Sequence, residues 1–160
     1  MMANSAKELL EVCKQRNLKI AVAESLTGGL LASGIVDIPG ASEVFELGVV
    51  SYTPAQKAHV LGVKSETIAK HGVVSSQTAC EMAVGVQKLA KADCSLATTG
   101  VAGPDISEGK AAGTVFIGCR VDKDTEYREF NFHGNREKIR KQSVKEAVAL
   151  LLNCLKKDRE

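Results

Sequence analysis

The chain has no tryptophan, only 4% aromatic residues and three prolines. No apolar run approaches the roughly 18 residues of a membrane-spanning helix. The N-terminal stretch, Met1 to Glu8, lacks a basic segment followed by an apolar one and turns charged at once, so no secretory leader is expected and the cytoplasm is the expected compartment. Charge of one sign is missing too. Twenty-one basic residues against 19 acidic ones give a net charge of +2, too even for the basic excess that marks nucleic-acid binding. The five cysteines, Cys13, Cys80, Cys94, Cys119 and Cys154, are odd in number and form no C-x-x-C pair. None lies near His59, His71 or His133 in the chain. A disulfide framework and a zinc knuckle are therefore not expected, and the thiols read as small apolar groups in a reducing environment. The scattered histidines read as surface or turn residues.

What remains is an ordinary globular composition, 44% hydrophobic and 25% charged over 160 residues, enough for one domain with its own core spanning 1–160. Neither an internal repeat nor a low-complexity stretch occurs. Periodicity predicts a helix over 5–16, where Leu9, Leu10 and Cys13 share a face, and a buried strand over 19–23. A helix over 30–36 is ended by Asp37-Ile38-Pro39-Gly40. A strand over 44–52 and short helices over 54–61 and 66–70 follow. Ser75 is the expected cap of a helix whose stripe is Ala79, Met82, Ala83, Val86 and Leu89. Strands over 94–99, 114–121 and 125–132 come next, the last two joined by the turn Asp122-Lys123-Asp124. The final helix starts near Asn135 and buries Val144, Ala147, Val148, Leu151 and Leu155, with a frayed tail over 156–160. Helices between the early strands imply parallel crossovers, and the closing hairpin adds an antiparallel strand. The expected fold is α/β: a three-layer α/β/α sandwich on a mixed, mostly parallel five-stranded sheet.

Three segments carry more than a core requires. Ala23-Glu24-Ser25-Leu26-Thr27-Gly28-Gly29 falls between a strand and a helix, at the sheet end where open α/β folds place ligands. There Ser25 projects from a tight turn, and backbone N–H groups near Gly28 and Gly29 can face an anion or oxyanion. The plainer alternative is an ordinary turn with Ser25 or Thr27 as helix cap. Whether Glu24 points into the same cleft stays open, because strand residues alternate faces. Val50-Ser51-Tyr52-Thr53-Pro54-Ala55-Gln56-Lys57 follows the second strand and brings Tyr52 and Lys57 toward the same end. Lys57 is either a surface lysine or a base. As a base neutral at pH 7 it needs a pKa about 3 units below the usual ~10.4, at a cost of roughly 4 kcal/mol, which only burial can impose. Thr98-Thr99-Gly100-Val101-Ala102-Gly103-Pro104-Asp105 follows the third strand, and its glycines allow close approach of backbone to a ligand. It matches no standard phosphate loop, and no G-x-S-x-G elbow occurs anywhere. On the last helix Arg136, Arg140, Lys141 and Lys145 form a basic strip. This is a solvated face paired with Glu137 and Glu146, or a source of a phosphate contact by Arg136 or Arg140.

These segments in this order resemble the CinA C-terminal domain family, whose enzymes are nicotinamide-nucleotide amidohydrolases. The resemblance runs from about residue 5 to 155. It is carried by residues 23–29, Gly48 to Tyr52 with Lys57, His71-Gly72-Val73-Val74-Ser75, Thr99 to Pro104, Gly113-Thr114-Val115, and Gly134-Asn135-Arg136 with Arg140. It implies hydrolysis of the carboxamide of nicotinamide mononucleotide by a Ser/Lys mechanism. Ser25 would be the nucleophile, Lys57 its base, and Tyr52 would assist. Thr27, Gly28 and Gly29 would supply oxyanion donors, while Gly100, Gly103, Thr114 and Arg140 would hold the nucleotide. Neither metal nor cofactor is implied. A small pyridine nucleotide is the expected partner, without membrane or nucleic acid, and a homo-oligomer is the expected assembly. Longer members carry a molybdopterin-binding-like N-terminal domain for which 160 residues leave no room, so the stand-alone form is expected. One stretch departs from the family pattern. Ile106-Ser107-Glu108-Gly109-Lys110-Ala111-Ala112 is about one residue shorter and lacks the Gly-Gly step and Lys-Pro usual there. That departure motivates the alternative of a nucleotide-binding or interaction module without turnover.

Overall fold

A computed structural model describes residues 2–158. In chain order the elements are α1 (Met2–Gln15), β1 (Ile20–Glu24), α2 (Leu30–Val36), a 3-10 turn (Ala41–Glu43), β2 (Phe45–Val50), α3 (Pro54–Leu61), α4 (Ser65–His71), α5 (Ser76–Ala90), β3 (Cys94–Gly100), β4 (Thr114–Val121), β5 (Asp124–Asn131) and α6 (Arg136–Lys157). The five strands form one sheet in the order β2-β1-β3-β4-β5. β1 pairs parallel with both β2 and β3, and β4 and β5 join antiparallel.

Strand alternation explains the layers. Ile20 and Val22 of β1, Cys94 and Leu96 of β3, and Val115, Ile117 and Cys119 of β4 face a large core shared with α1, α2 and α6. The opposite face carries small residues, Ala21, Ala23 and Ala97, against Met82, Ala83 and Val86 of α5. Small side chains there let α5 lie close to the sheet. At Gly118 in β4 an added Cβ would run into the Ala79 carbonyl of α5, so the helix rests directly on the strand backbone. The result is a three-layer α/β/α arrangement, as the sequence predicts.

Element boundaries agree with the sequence to within one to three residues. The strand expected over 44–52 stops at Val50, because Ser51-Tyr52-Thr53 turns into α3. The tail is not frayed from residue 156. Lys156 and Lys157 are helical, since Leu155 is buried and Arg16 holds both the Leu155 carbonyl and the Asp158 carboxylate; residues 159 and 160 lie outside the described residues. The 3-10 turn, with Gly40 as its cap, has no periodicity that would reveal it. All five cysteines are free, with Cys13, Cys94 and Cys119 buried. Among the described residues no helix is long and apolar enough to cross a membrane.

Because β1, β2 and β3 are parallel, their carboxyl ends share one edge of the sheet. Ser25, Ser51 and Gly100 leave the sheet together there, and the 101–113 connection into β4 starts from the same edge.

Candidate active site

The turn after β1 is built to free a serine. Ser25 keeps its backbone in the sheet, donating its N–H to the Thr98 carbonyl at 3.1 Å. Gly28 and Gly29 then take φ values of 56° and 104°, a region that side-chain-bearing residues rarely adopt. Gly29 is the N-cap position of α2, and neither Ser25 nor Thr27 caps the helix. The fully buried Glu24 does so instead. Its Oε1 accepts the N–H groups of Gly29 at 3.2 Å and Leu31 at 2.8 Å, and its Oε2 accepts that of Ala32 at 3.0 Å. Glu24 shares the strand face of Val22, so it points toward α2 and away from the cleft. A carboxylate on the unpaired N–H groups of a first helical turn is stabilising, and it leaves the Ser25 hydroxyl uncommitted to capping. Glu24→Ala strips the buried Leu31 N–H and the half-buried N–H groups of Gly29 and Ala32 of their acceptor and is expected to lower stability by about 2–3 kcal/mol. Urea denaturation reads this directly, and a variant as stable as the parent would contradict the capping role.

Lys57 comes from the first turns of α3. Thr53 caps that helix, its Oγ1 accepting the Gln56 N–H at 3.3 Å, and Pro54 opens it. Lys57 and Leu61, four residues apart, form its buried face. Lys57 is 1% exposed, which rules out the surface-lysine reading. Its Nζ donates to Ser25 Oγ at 3.0 Å and to the Ser51 carbonyl at 2.9 Å. Loss of hydration lowers its pKa from 10.5 to about 8, while the Glu108 carboxylate pulls it back up. The fall is smaller than the 3 units a fully neutral base requires, so about a tenth of the amine is unprotonated at pH 7.

Both side chains open into a cavity of about 420 Å³, the size of a small-ligand site. Ser25, Leu26, Tyr52 and Lys57 form one wall, Val73 and Val74 another. Thr99 to Ser107 complete the lining with Arg136 of α6. Arg136 donates Nη1 to the Gly103 carbonyl at 2.7 Å and Nη2 to the Tyr52 hydroxyl at 3.2 Å. Tyr52 is 58% exposed. Cleft and helix are thus linked through one guanidinium.

Of the residues expected at the site, Ser25, Tyr52, Lys57, Gly100 and Gly103 line the cavity. Thr27, Gly28, Gly29, Thr114 and Arg140 do not. Thr27 is fully buried with its hydroxyl 2.8 Å from that of Thr98. The Gly28 N–H is spent on the Ser25 carbonyl, and that of Gly29 on Glu24. The N–H groups of Leu26 and Thr27 have no acceptor among the described residues, and Leu26 borders the cavity. Thr114 opens β4 and accepts the Val101 N–H at its carbonyl. Arg140 braces the turn from behind, donating Nε to the Leu26 carbonyl at 2.8 Å and Nη2 to that of Thr27 at 3.1 Å. Helical spacing singles out Arg136 and Arg140 alike, and only packing separates a cleft residue from a brace. Val73, Val74 and Ile106 also line the cavity, although no pattern in their own segments assigns them there. Among the described residues no group of three or more His, Cys, Asp or Glu side chains is arranged to hold a metal ion.

Comparison with known proteins bears on this geometry. The family model described as the CinA C-terminal domain matches residues 2–155. A curated relative from Bacillus velezensis, named for competence-damage induction, is 48% identical over 93% of this chain. The corresponding protein of Bacillus subtilis strain 168 is 47% identical over 93%. The chain spans only 36% of the length of each of these relatives. Among solved structures, the competence or damage-inducible protein of Enterobacter asburiae superposes with a TM-score of 0.95 at 33% identity, covering 97% of this chain and 98% of that one. The CinA superfamily protein of Klebsiella pneumoniae 700603 gives 0.94 at 32% identity, covering 97% of this chain and 98% of that one.

Proposed function

This chain belongs to the CinA C-terminal domain family, and on that footing we propose that it hydrolyses the carboxamide of nicotinamide mononucleotide to nicotinate mononucleotide and ammonia. The observation that carries the proposal is a buried amine of lowered proton affinity placed 3.0 Å from a serine hydroxyl on the wall of a cavity. An amide resists attack, so an activated nucleophile and a place for negative charge are both required. In the neutral form Lys57 accepts the Ser25 proton as Oγ adds to the carboxamide carbon. The oxyanion so formed is met by N–H groups of the turn, and Leu26 is the one that borders the cavity. The Lys57 ammonium then returns its proton to the departing nitrogen, ammonia leaves, and an acyl ester remains on Ser25. Water adds to the ester with Lys57 again taking a proton, and the nicotinate carboxylate is released as Ser25 regains its hydrogen. The Ser51 carbonyl holds the amine in line throughout.

Arg136 is the cationic side chain of the lining that is free of the chemistry, and it is assigned to the phosphate. Binding energy from that remote group orients the amide. Arg136→Ala is accordingly expected to raise KM for the mononucleotide about tenfold, with a much smaller effect on the riboside, which has no phosphate. Equal effects on both substrates would remove Arg136 from that role. The reading as a whole is tested by chromatography and ammonia release on a panel of pyridine nucleotides. Turnover of the mononucleotide supports it. Calorimetric binding without product would instead favour a nucleotide-binding module.

A further inference from the structure

Residues 105–110 cross the cavity wall as a tight hairpin. Ser107 and Lys110 exchange backbone hydrogen bonds of 3.0 and 2.8 Å. Glu108 and Gly109 turn the corner at φ values of 52° and 71°. A glutamate in the left-handed region carries a cost of about 1–2 kcal/mol, and its side chain supplies the offsetting contacts. Oε1 accepts the Val73 N–H at 2.9 Å and Oε2 that of Val74 at 3.5 Å. Room for this carboxylate exists because residue 72 is glycine: a Cβ there would collide with Oε2. The Thr99 hydroxyl donates to the Val73 carbonyl at 2.7 Å, fixing the same wall to the end of β3. Two separate stretches of the lining, 73–74 and 105–107, are therefore joined through one side chain. Ile106 lies on the hairpin, lines the cavity and is 72% exposed. Among the described residues no buried apolar cluster includes it, and a ligand that covers it recovers apolar burial.

We propose that Glu108 is a positioning residue and Ile106 a specificity residue: the carboxylate pins the hairpin so that Ile106, together with Val73 and Val74, forms the apolar contact for the planar ring of a carboxamide substrate. This rests on the amidase reading above and names the contact by which the site selects a flat ring. The departure of 106–112 from the family pattern then lies within the substrate wall. Glu108 has a second, electrostatic consequence. It is the acid whose charge acts on Lys57; Lys110 Nζ lies 3.9 Å from Glu108 Oε2, and Asp105 and Arg136 are the charged side chains that line the cavity beside Lys57.

The test measures binding of nicotinamide mononucleotide by calorimetry in a Ser25→Ala background, and turnover against pH with Ser25 present. Ile106→Ala is expected to weaken binding about fivefold, and Glu108→Ala at least as much. The double variant should bind within about twofold of Glu108→Ala alone, because the glutamate acts through the isoleucine. Glu108→Gln keeps an oxygen acceptor for the Val73 N–H but no charge. It should bind nearly as the parent does while its pH–rate limb moves to lower pH, a displacement that a purely structural clamp would not produce. Unaltered binding in Ile106→Ala, additive losses in the double variant, or an unmoved limb in Glu108→Gln would each overturn the proposal. Were Glu108→Ala unable to fold, Ile106→Ala and Glu108→Gln would still decide it. Absence of turnover by the unaltered protein sinks the amidase reading instead, and the calorimetric arm still judges the hairpin.

Discussion

Replacing Ser25 with alanine is expected to lower carboxamide hydrolysis by about a thousandfold or more, the scale on which loss of a nucleophile acts in serine hydrolases. The fold should survive. Ser25 contributes its backbone N–H to the Thr98 carbonyl, which alanine retains. Lys57 keeps its bond to the Ser51 carbonyl, so the buried amine is not stranded. The thermal midpoint should therefore move by a few degrees at most, while ammonia release falls to background. Circular dichroism melting beside an ammonia assay separates the two. A Ser25→Ala protein that still turns over substrate at a tenth of the parental rate would remove this hydroxyl from the chemistry.

The second large effect concerns Lys57 and has two readouts. With a folded pKa near 8, the unprotonated amine grows about tenfold for each pH unit below that value. The kcat/KM limb of the parent should rise with unit slope and level off above pH 8. Lys57→Met should lose about 10²- to 10⁴-fold, the usual worth of a general base, and lose the limb with it. Stability should respond with a definite sign. Burial lowers the folded pKa below the unfolded 10.5, so between about pH 8 and 10.5 the unfolded chain binds the proton that the folded chain does not. Stability from this group therefore rises with pH through that window. Below pH 8 the parent carries the whole penalty of about 3 kcal/mol. Methionine has no proton to bind, so the stability of Lys57→Met relative to the parent should fall by about 2–3 kcal/mol between pH 7 and 10. Urea melts at the two pH values measure it, and a constant difference would mean that this amine is not desolvated in the folded protein. Such a trade, stability given up at a working site, is common where a charged group must be buried for function.

Much of the architecture is legible in the chain because each element announces itself locally. β1 begins as a short apolar run, Ile20 to Ala23, bounded by Lys19 and Glu24. In the α5 stripe Ala79, Met82, Ala83 and Val86 fall on one helical face and are buried as the period demands, whereas Leu89, expected in the same stripe, lies at its edge in the last turn of the helix and is 51% exposed. Thr53 and Ser75 cap their helices by their own hydroxyls. Glu24 breaks this pattern of local legibility. As the last residue of a strand it could face either side, and a serine and a threonine stood next to it as more ordinary caps. Only the register of β1, with Val22 facing the α2 and α6 core, decides that the carboxylate meets the helix and that the hydroxyl is left for the cleft. Arg136 and Arg140 show the same limit. They lie one helical turn apart with the same chemistry, yet one reaches over the cavity to Tyr52 and the other ties down the Leu26 and Thr27 carbonyls.

Composition, hydrophobic period and turn residues by themselves determined a mixed α/β sandwich and placed Ser25, Lys57 and the Gly100–Gly103 loop after successive strands, since these signals depend on neighbours a few positions away. The proton affinity of Lys57, the anchoring of the 105–110 hairpin by Glu108 and the division of labour between the two arginines were decided by tertiary structure alone. Each depends on how much water remains around a charge and on which distant backbone groups stand within 3 Å or so of it. Those quantities come into being only when the parallel strands bring 25, 57 and 101–108 to one edge of the sheet.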